Sequence, residues 1–240
     1  MNNMLLVALD VDAPEKAIVL SEKLKGHVGG FKVGSQLFTL GGPDVVRAIG
    51  PTFLDLKFHD IPNTVAGAAK AAAQLGVRMF NVHCLGGSKM MKAARTAMDE
   101  VFNSTGTRPL ILGVTILTSH DQASLAEVGI DPNLPIPQRV AKLAALAHKS
   151  GLDGVVCSPQ EIEIVRSTVC DSGFLIVTPG IRRESDPADD QNRTMTVGEA
   201  VRRGASYLVV GRPIIAQLDP VAAADAIAEE ILTAWAGTNV

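Results

Sequence analysis

The chain has 240 residues, 47% of them hydrophobic and 20% charged, with a net charge of −3. That composition is globular and not disordered, and the charge creates no field that would draw nucleic acid or a membrane surface. Three cysteines, Cys84, Cys157 and Cys170, show no C-x-x-C spacing, and no apolar run approaches the length of a membrane span. An N-terminus without a basic, apolar leader completes the expectation of a cytoplasmic protein.

Short apolar runs alternate with Ala-rich stretches along the chain. Strands are expected at Met4–Leu9, Gly30–Val33, Thr52–Lys57, Met79–His83, Leu110–Leu117, Gly154–Cys157, Phe174–Thr178 and Tyr207–Val210. They are apolar at nearly every position, as strands covered on both faces must be. Helices are expected at Ala13–Leu24, Ala66–Gln74, Ser88–Asp99, Gln138–His148 and Pro220–Trp235, where apolar residues recur three and four apart. Eight strand-then-helix units over residues 1–240 predict one (β/α)₈ barrel in a single domain, with an open doubly wound sheet as the rival. Arg182 to Thr194 forms a polar, Asp-rich loop, and ordered loops of that length are often functional.

In such a barrel the chemistry lies at the C-terminal ends of the strands. The first strand ends in Asp10, the second carries Lys32, and the third reads Asp55-Leu56-Lys57-Phe58-His59-Asp60. Asp55 and Lys57 are two apart, so a regular strand points both to one face. A structural ion-pair network is the alternative. The rim position favours a functional use, because apolar strands seldom end in charge without one.

At the far end, Val210-Gly211-Arg212-Pro213 leads from a strand into a helix. Gly permits close approach of a ligand, Pro suits the first helical turn, and Arg212 can fork two phosphate oxygens. The last two strand exits of these barrels commonly hold phosphate. Thr178-Pro179-Gly180-Ile181-Arg182, followed by Gln191, is a second candidate part of that site, as a loop that closes over the ligand. Thr118 and Ser119 could hydrogen-bond a polar ring, although hydroxyls after a strand are usually turn formers. His83-Cys84 lacks partners for a metal site. His59 reads as support for the charged rim. Cys157 and Cys170 read as small core residues, and His27, His120 and His148 as surface or helix positions without partners.

Asp55-Leu56-Lys57-Phe58-His59-Asp60-Ile61-Pro62-Asn63-Thr64 resembles the signature of the orotidine 5′-phosphate decarboxylase family. The resemblance extends to Ala8-Leu9-Asp10, Lys32-Val33-Gly34, Asn81-Val82-His83, Leu117-Thr118-Ser119, Asp153 to Ser158, Thr178 to Arg182 and Gly211-Arg212-Pro213. It implies that Lys57 is the catalytic lysine and that Lys32, Asp55 and Asp60 complete an alternating charged array. It further implies that Asp10 and Lys32 hold ribose hydroxyls and that Thr118 meets the pyrimidine. Arg182, Gln191, Gly211 and Arg212 would serve the phosphate and the lid. Asp60 and Thr64 would enter the neighbouring subunit's site, making a homodimer. The implied reaction, in pyrimidine biosynthesis, uses neither cofactor nor metal.

The resemblance suits the chemistry. Losing CO₂ from the orotate ring leaves charge at C6 that no adjacent carbonyl delocalises well, so fixed charges must stabilise it. A related barrel enzyme, a magnesium-dependent keto-gulonate-phosphate decarboxylase, shares Asp-x-Lys-x-x-Asp. The Ile61-Pro62-Asn63-Thr64 continuation and the Thr118 loop weigh against it. A non-catalytic nucleotide-binding protein is a third reading, against which the intact Asp55 and Lys57 stand.

Overall fold

The computed structural model describes residues 4–182 and 194–237. Its strands are β1 (Leu5–Ala8), β2 (Gly30–Gly34), β3 (Phe53–Phe58), β4 (Met79–His83), β5 (Leu110–Val114), β6 (Gly154–Val156), β7 (Leu175–Thr178), β8 (Ile181–Arg182), β9 (Met195–Thr196) and β10 (Tyr207–Val210). All but β8 and β9 form a closed parallel barrel, in which β10 pairs with both β7 and β1. This closure excludes the open sheet. The β8–β9 pair stands outside the ring and brackets residues 183–193, which lie outside the described residues along with Gln191.

The helices are α1 (Pro14–Leu24), α2 (Ser35–Ile49), α3 (Pro62–Gln74), α4 (Gly87–Thr105), α5 (Gln122–Glu127), α6 (Ile136–Lys149), α7 (Ile162–Thr168), α8 (Val197–Arg202), α9 (Arg212–Ile215) and α10 (Pro220–Ala236). The five helices expected from periodicity are present as α1, α3, α4, α6 and α10. The others are short or broken. In α2, Gly42 has a φ of 56° just before Pro43, which kinks the helix and interrupts its apolar stripe. Among the described residues no helix is long and apolar enough to cross a membrane.

Period-two alternation divides the barrel residues between two cores. Leu6, Ala8, Phe53, Met79, Leu112, Val177 and Val209 fill the interior. Their neighbours Leu5, Val7, Leu54, Phe80, Ile111 and Ile176 face the helices. Lys32 pairs in register with Ala8 on one side and Phe53 on the other, so it occupies an inward position. Its apolar stem can lie among barrel residues while the ammonium reaches the upper rim.

Two strands, β1 and β6, end one residue before their expected ends, and β5 ends three residues early. β5 stops at Val114, not Leu117. Thr115 still bonds to Val156 through its N–H (3.1 Å) and its hydroxyl (3.0 Å). The chain then turns, closed by His120 N–H donating to the Leu117 carbonyl at 3.0 Å. The cysteines also divide differently: Cys157 is buried, but Cys170 is exposed, because it lies past the end of α7 where the chain turns toward β7. His27, His120 and His148 do have partners, in Asp225 (2.8 Å), Ser124 (3.0 Å) and Asp171 (3.1 Å).

The N-terminal rim is closed by polar clamps. Arg78 donates to the Gly29 carbonyl (3.0 Å) and the Tyr207 hydroxyl (2.9 Å). Arg108 grips Asp153 through two bonds of 2.7 Å, and Asp153 also accepts the Ile111 N–H at 2.7 Å. Asp153→Ala leaves a largely buried guanidinium without its carboxylate, which costs roughly 3–5 kcal/mol. Urea denaturation should show that loss as a lower midpoint, with ligand binding at the opposite rim unchanged. A midpoint equal to wild type would show that the clamp adds nothing.

Candidate active site

The C-terminal mouth of the barrel opens into a cavity of about 590 Å³. Its lining includes Asp10, Lys32, Asp55 and Lys57 on one side, Thr118 and Ser119 on another, and Gly211, Arg212 and Pro213 on a third. Five stretches that are far apart in sequence thus meet in one concave site, at the face where such barrels carry their chemistry.

The charges form an unbroken chain. Lys32 Nζ lies 3.1 Å from Asp10 Oδ1 and 3.5 Å from Asp55 Oδ2, and Lys57 Nζ lies 2.8 Å from Asp55 Oδ1. Exposure falls inward, from 56% for the Asp10 side chain to 14% for Asp55 and 10% for Lys32. Gly34 makes room for the first link. A Cβ there would stand 2.9 Å from Lys32 Nζ and 3.3 Å from Asp10 Oδ1.

Asp55 and Lys57 do not meet by regular strand alternation. Lys57 has a φ of 52°, a left-handed conformation found at no other non-glycine among the described residues. The β3–β4 register jumps from Leu54↔Phe80 to Phe58↔Val82, so four steps on β3 span two on β4. This bulge bends the strand and re-aims the lysine. A lysine held there costs about 1–3 kcal/mol of backbone strain, which the surroundings must offset.

Asn81 sits inside that bulge. It is fully buried. Its Oδ1 accepts the Lys57 N–H at 2.7 Å, and its Nδ2 donates to Asp55 Oδ1 at 2.7 Å. No functional expectation fell on Asn81 from sequence. The available signal was an amide at an inward-facing position between apolar neighbours Phe80 and Val82, level with the charged pair.

Burial pushes the Asp55 carboxyl up, but Lys32 and Lys57, with hydrogen bonds from Lys57 and Asn81, outweigh it and hold the group below its ordinary value. His83 goes the other way for a base: burial, then the charges of His59, Lys57 and His120, lower it to about 4. It is therefore neutral at physiological pH, with Nδ1 accepting the Leu85 N–H (3.3 Å) and its ring stacked 5.3 Å from His59. Burial pushes the Cys84 thiol up to about 12, so it stays protonated.

Asp60 and Thr64 are exposed and lie outside the cavity lining. Asp60 accepts the Ile61 N–H at 2.6 Å and, among the described residues, joins no ion pair with the array. Within one chain the array therefore ends at Lys57. Arg182 contributes backbone to β8, beside cavity residues Pro179, Gly180 and Ile181.

A carboxyl held below its unfolded value stabilises the fold fully above the ordinary carboxylate range. That contribution is lost as pH falls through the folded value. In Lys32→Met, burial faces one ammonium fewer, so the loss should begin at higher pH. Urea midpoints followed downward from neutral pH check this, and an acid limb identical to wild type would mean that Lys32 does not keep Asp55 ionised.

Residues 3–227 match the model of the orotidine 5′-phosphate decarboxylase / HUMPS family. The chain is 54% identical over 235 residues to the orotidine 5′-phosphate decarboxylase of Syntrophotalea carbinolica, covering 96% of this chain and 95% of that protein. It is 50% identical over 233 residues to that of Moorella thermoacetica, covering 95% and 91%. Among solved structures, the orotidine 5′-phosphate decarboxylase from Lactobacillus acidophilus superposes with a TM-score of 0.83 at 40% identity, covering 95% of this chain and 98% of that one.

Proposed function

The chain belongs to the orotidine 5′-phosphate decarboxylase / HUMPS family, and on that premise we propose that it converts orotidine 5′-phosphate to uridine 5′-phosphate and CO₂ in pyrimidine biosynthesis. The observation that carries this reading is the Asp10–Lys32–Asp55–Lys57 chain inside a cavity that also holds Gly211 and Arg212. One end of the site suits a phosphate, the other suits a developing carbanion, and the distance between them is bridged by ribose.

The phosphate binds at Gly211 and Arg212, with Arg182 and Gln191 completing the site as a lid. Gly211 keeps the approach open, and the Arg212 guanidinium matches phosphate geometry. Asp10 and Lys32 hold the ribose hydroxyls, and Thr118 meets the pyrimidine edge. Binding energy at the phosphate, remote from the reacting carbon, holds the ring in place for the chemical step.

The C6–carboxylate bond then breaks heterolytically. CO₂ leaves, the electron pair stays on C6, and Lys57 Nζ stabilises it and delivers its proton there. Asp55 faces the substrate carboxylate. Two like charges about 4 Å apart repel by roughly 4 kcal/mol at an effective dielectric near 20, a repulsion that vanishes when CO₂ departs. Lys32 keeps Asp55 ionised throughout, and solvent returns the proton to Lys57 after product release. Side-chain charges thus carry the reaction without a cofactor.

Asp60 and Thr64, exposed in one chain, complete the site of a second copy, so the catalytic unit is a cytoplasmic homodimer of single barrels spanning residues 1–240. Asp60 from the partner then extends the alternation beyond Lys57. This reading accounts for a signature residue that stands outside its own cavity.

Two experiments test it. Lys57→Ala should lower kcat for orotidine 5′-phosphate by at least about 10⁴-fold, followed by ultraviolet absorbance, while uridine 5′-phosphate still binds. Near-normal turnover would remove Lys57 from the mechanism. Mixing inactive Lys57→Ala with inactive Asp60→Asn should restore part of the activity through hybrid dimers that hold one intact site. No recovery after proven subunit exchange would count against shared sites.

A further inference from the structure

We infer that Asn81 is a positioning residue for the reaction: one buried amide sets both the orientation of the Asp55 carboxylate and the backbone conformation that aims Lys57. The inference rests on the reading of Asp55 and Lys57 given above. It assigns to β4 a function that no residue of that strand performs by touching substrate, since Asn81 is absent from the cavity lining.

The argument begins with the bulge. Where β3 skips out of register, the ladder pairs Leu54 with Phe80 and next Phe58 with Val82. The Lys57 N–H lies in between, where the register is interrupted. A buried N–H must find an acceptor, and Asn81 Oδ1 supplies it at 2.7 Å. The same amide plane directs Nδ2 at Asp55 Oδ1, also at 2.7 Å, the oxygen that Lys57 Nζ approaches at 2.8 Å. The side chain therefore gives the Lys57 N–H its acceptor inside the bulge and holds the carboxylate against rotation about its own Cβ–Cγ axis.

An aliphatic side chain could fill the space but perform neither task. Aspartate keeps an acceptor for Lys57 N–H yet turns an oxygen toward Asp55, where a donor is needed. A neutral amide is the group that accepts from one and donates to the other. Its burial keeps water from substituting for it.

The test compares wild type, Asn81→Ala and Asn81→Asp in orotidine 5′-phosphate turnover and in uridine 5′-phosphate binding by calorimetry, with folding checked by circular dichroism. Uridine 5′-phosphate lacks the departing carboxylate, so it reports on the site without the step that Asp55 and Lys57 perform. A displaced catalytic group costs on the order of 10²-fold, so both variants should lose about that much kcat at neutral pH. Product affinity should stay within about threefold of wild type, which separates positioning from uniform loss of binding. The acid limb of kcat should move to higher pH in Asn81→Ala, because a bond that holds Asp55 ionised is gone. Asn81→Asp should regain activity as pH falls, since a protonated carboxyl can again donate to Asp55. If Asn81→Ala does not fold, Asn81→Asp, which keeps size and acceptor, decides alone. Variants that fold and keep wild-type kcat overturn the inference and leave the proposed function standing. A parallel fall in kcat and in product affinity also overturns it, by showing a merely structural residue. Absence of turnover in wild type sinks the proposed function instead, and this inference with it.

Discussion

A single carboxylate held ionised out of water governs the architecture of this site. Asp55 is largely buried, and an unpaired buried carboxylate would cost several kcal/mol and take up a proton instead. Two ammonium groups, at 2.8 Å and 3.5 Å, and the Asn81 amide prevent that. Around that placement stand the other unusual features: a lysine in the left-handed region, a two-residue slip between β3 and β4, and a glycine at position 34 where a Cβ would crowd the Lys32 ammonium out of its position. None of these makes sense as economy of folding. Together they keep opposite charges alternating along one wall of a cavity.

The two ends of the barrel divide the work. At the N-terminal rim, Arg78, Arg108 and Asp153 are held by fixed protein partners. At the C-terminal rim the charges face open space. Both ends carry charged groups, but the cavity opens at the C-terminal one. The apolar layer of Leu6, Ala8, Phe53, Met79, Leu112, Val177 and Val209 separates them, so the clamps of one rim and the charged array of the other do not share groups.

Much of this was legible in the residues, though not always for the right reason. Alternation of apolar runs with Ala-rich stretches predicted the barrel, and the rim charges predicted the cavity wall. Asp55 and Lys57 were expected together because a strand repeats every second residue. They do meet, but through a bulge and a positive φ that no periodicity encodes. Asn81, quoted only as part of the resemblance, received no role because its two bonds exist only once β3 slips against β4, a tertiary event. The kinked α2 was missed because Gly41-Gly42-Pro43 breaks the apolar stripe on which recognition of helices depends. Cys170 was expected in the core on residue type alone, and its position past α7 overrode that preference. Asp60 and Thr64 could not be judged from one chain's periodicity, because their proposed role lies in another copy.

The most direct test of the central claim is a carbon-detected magnetic resonance titration of the Asp55 carboxyl in the ligand-free protein. The account predicts a titration below the ordinary carboxylate range, so that Asp55 is charged throughout the working pH of the enzyme. A carboxyl that takes up its proton at or above the ordinary value would contradict it, because a neutral group could neither repel a departing carboxylate nor anchor Lys57 beside it.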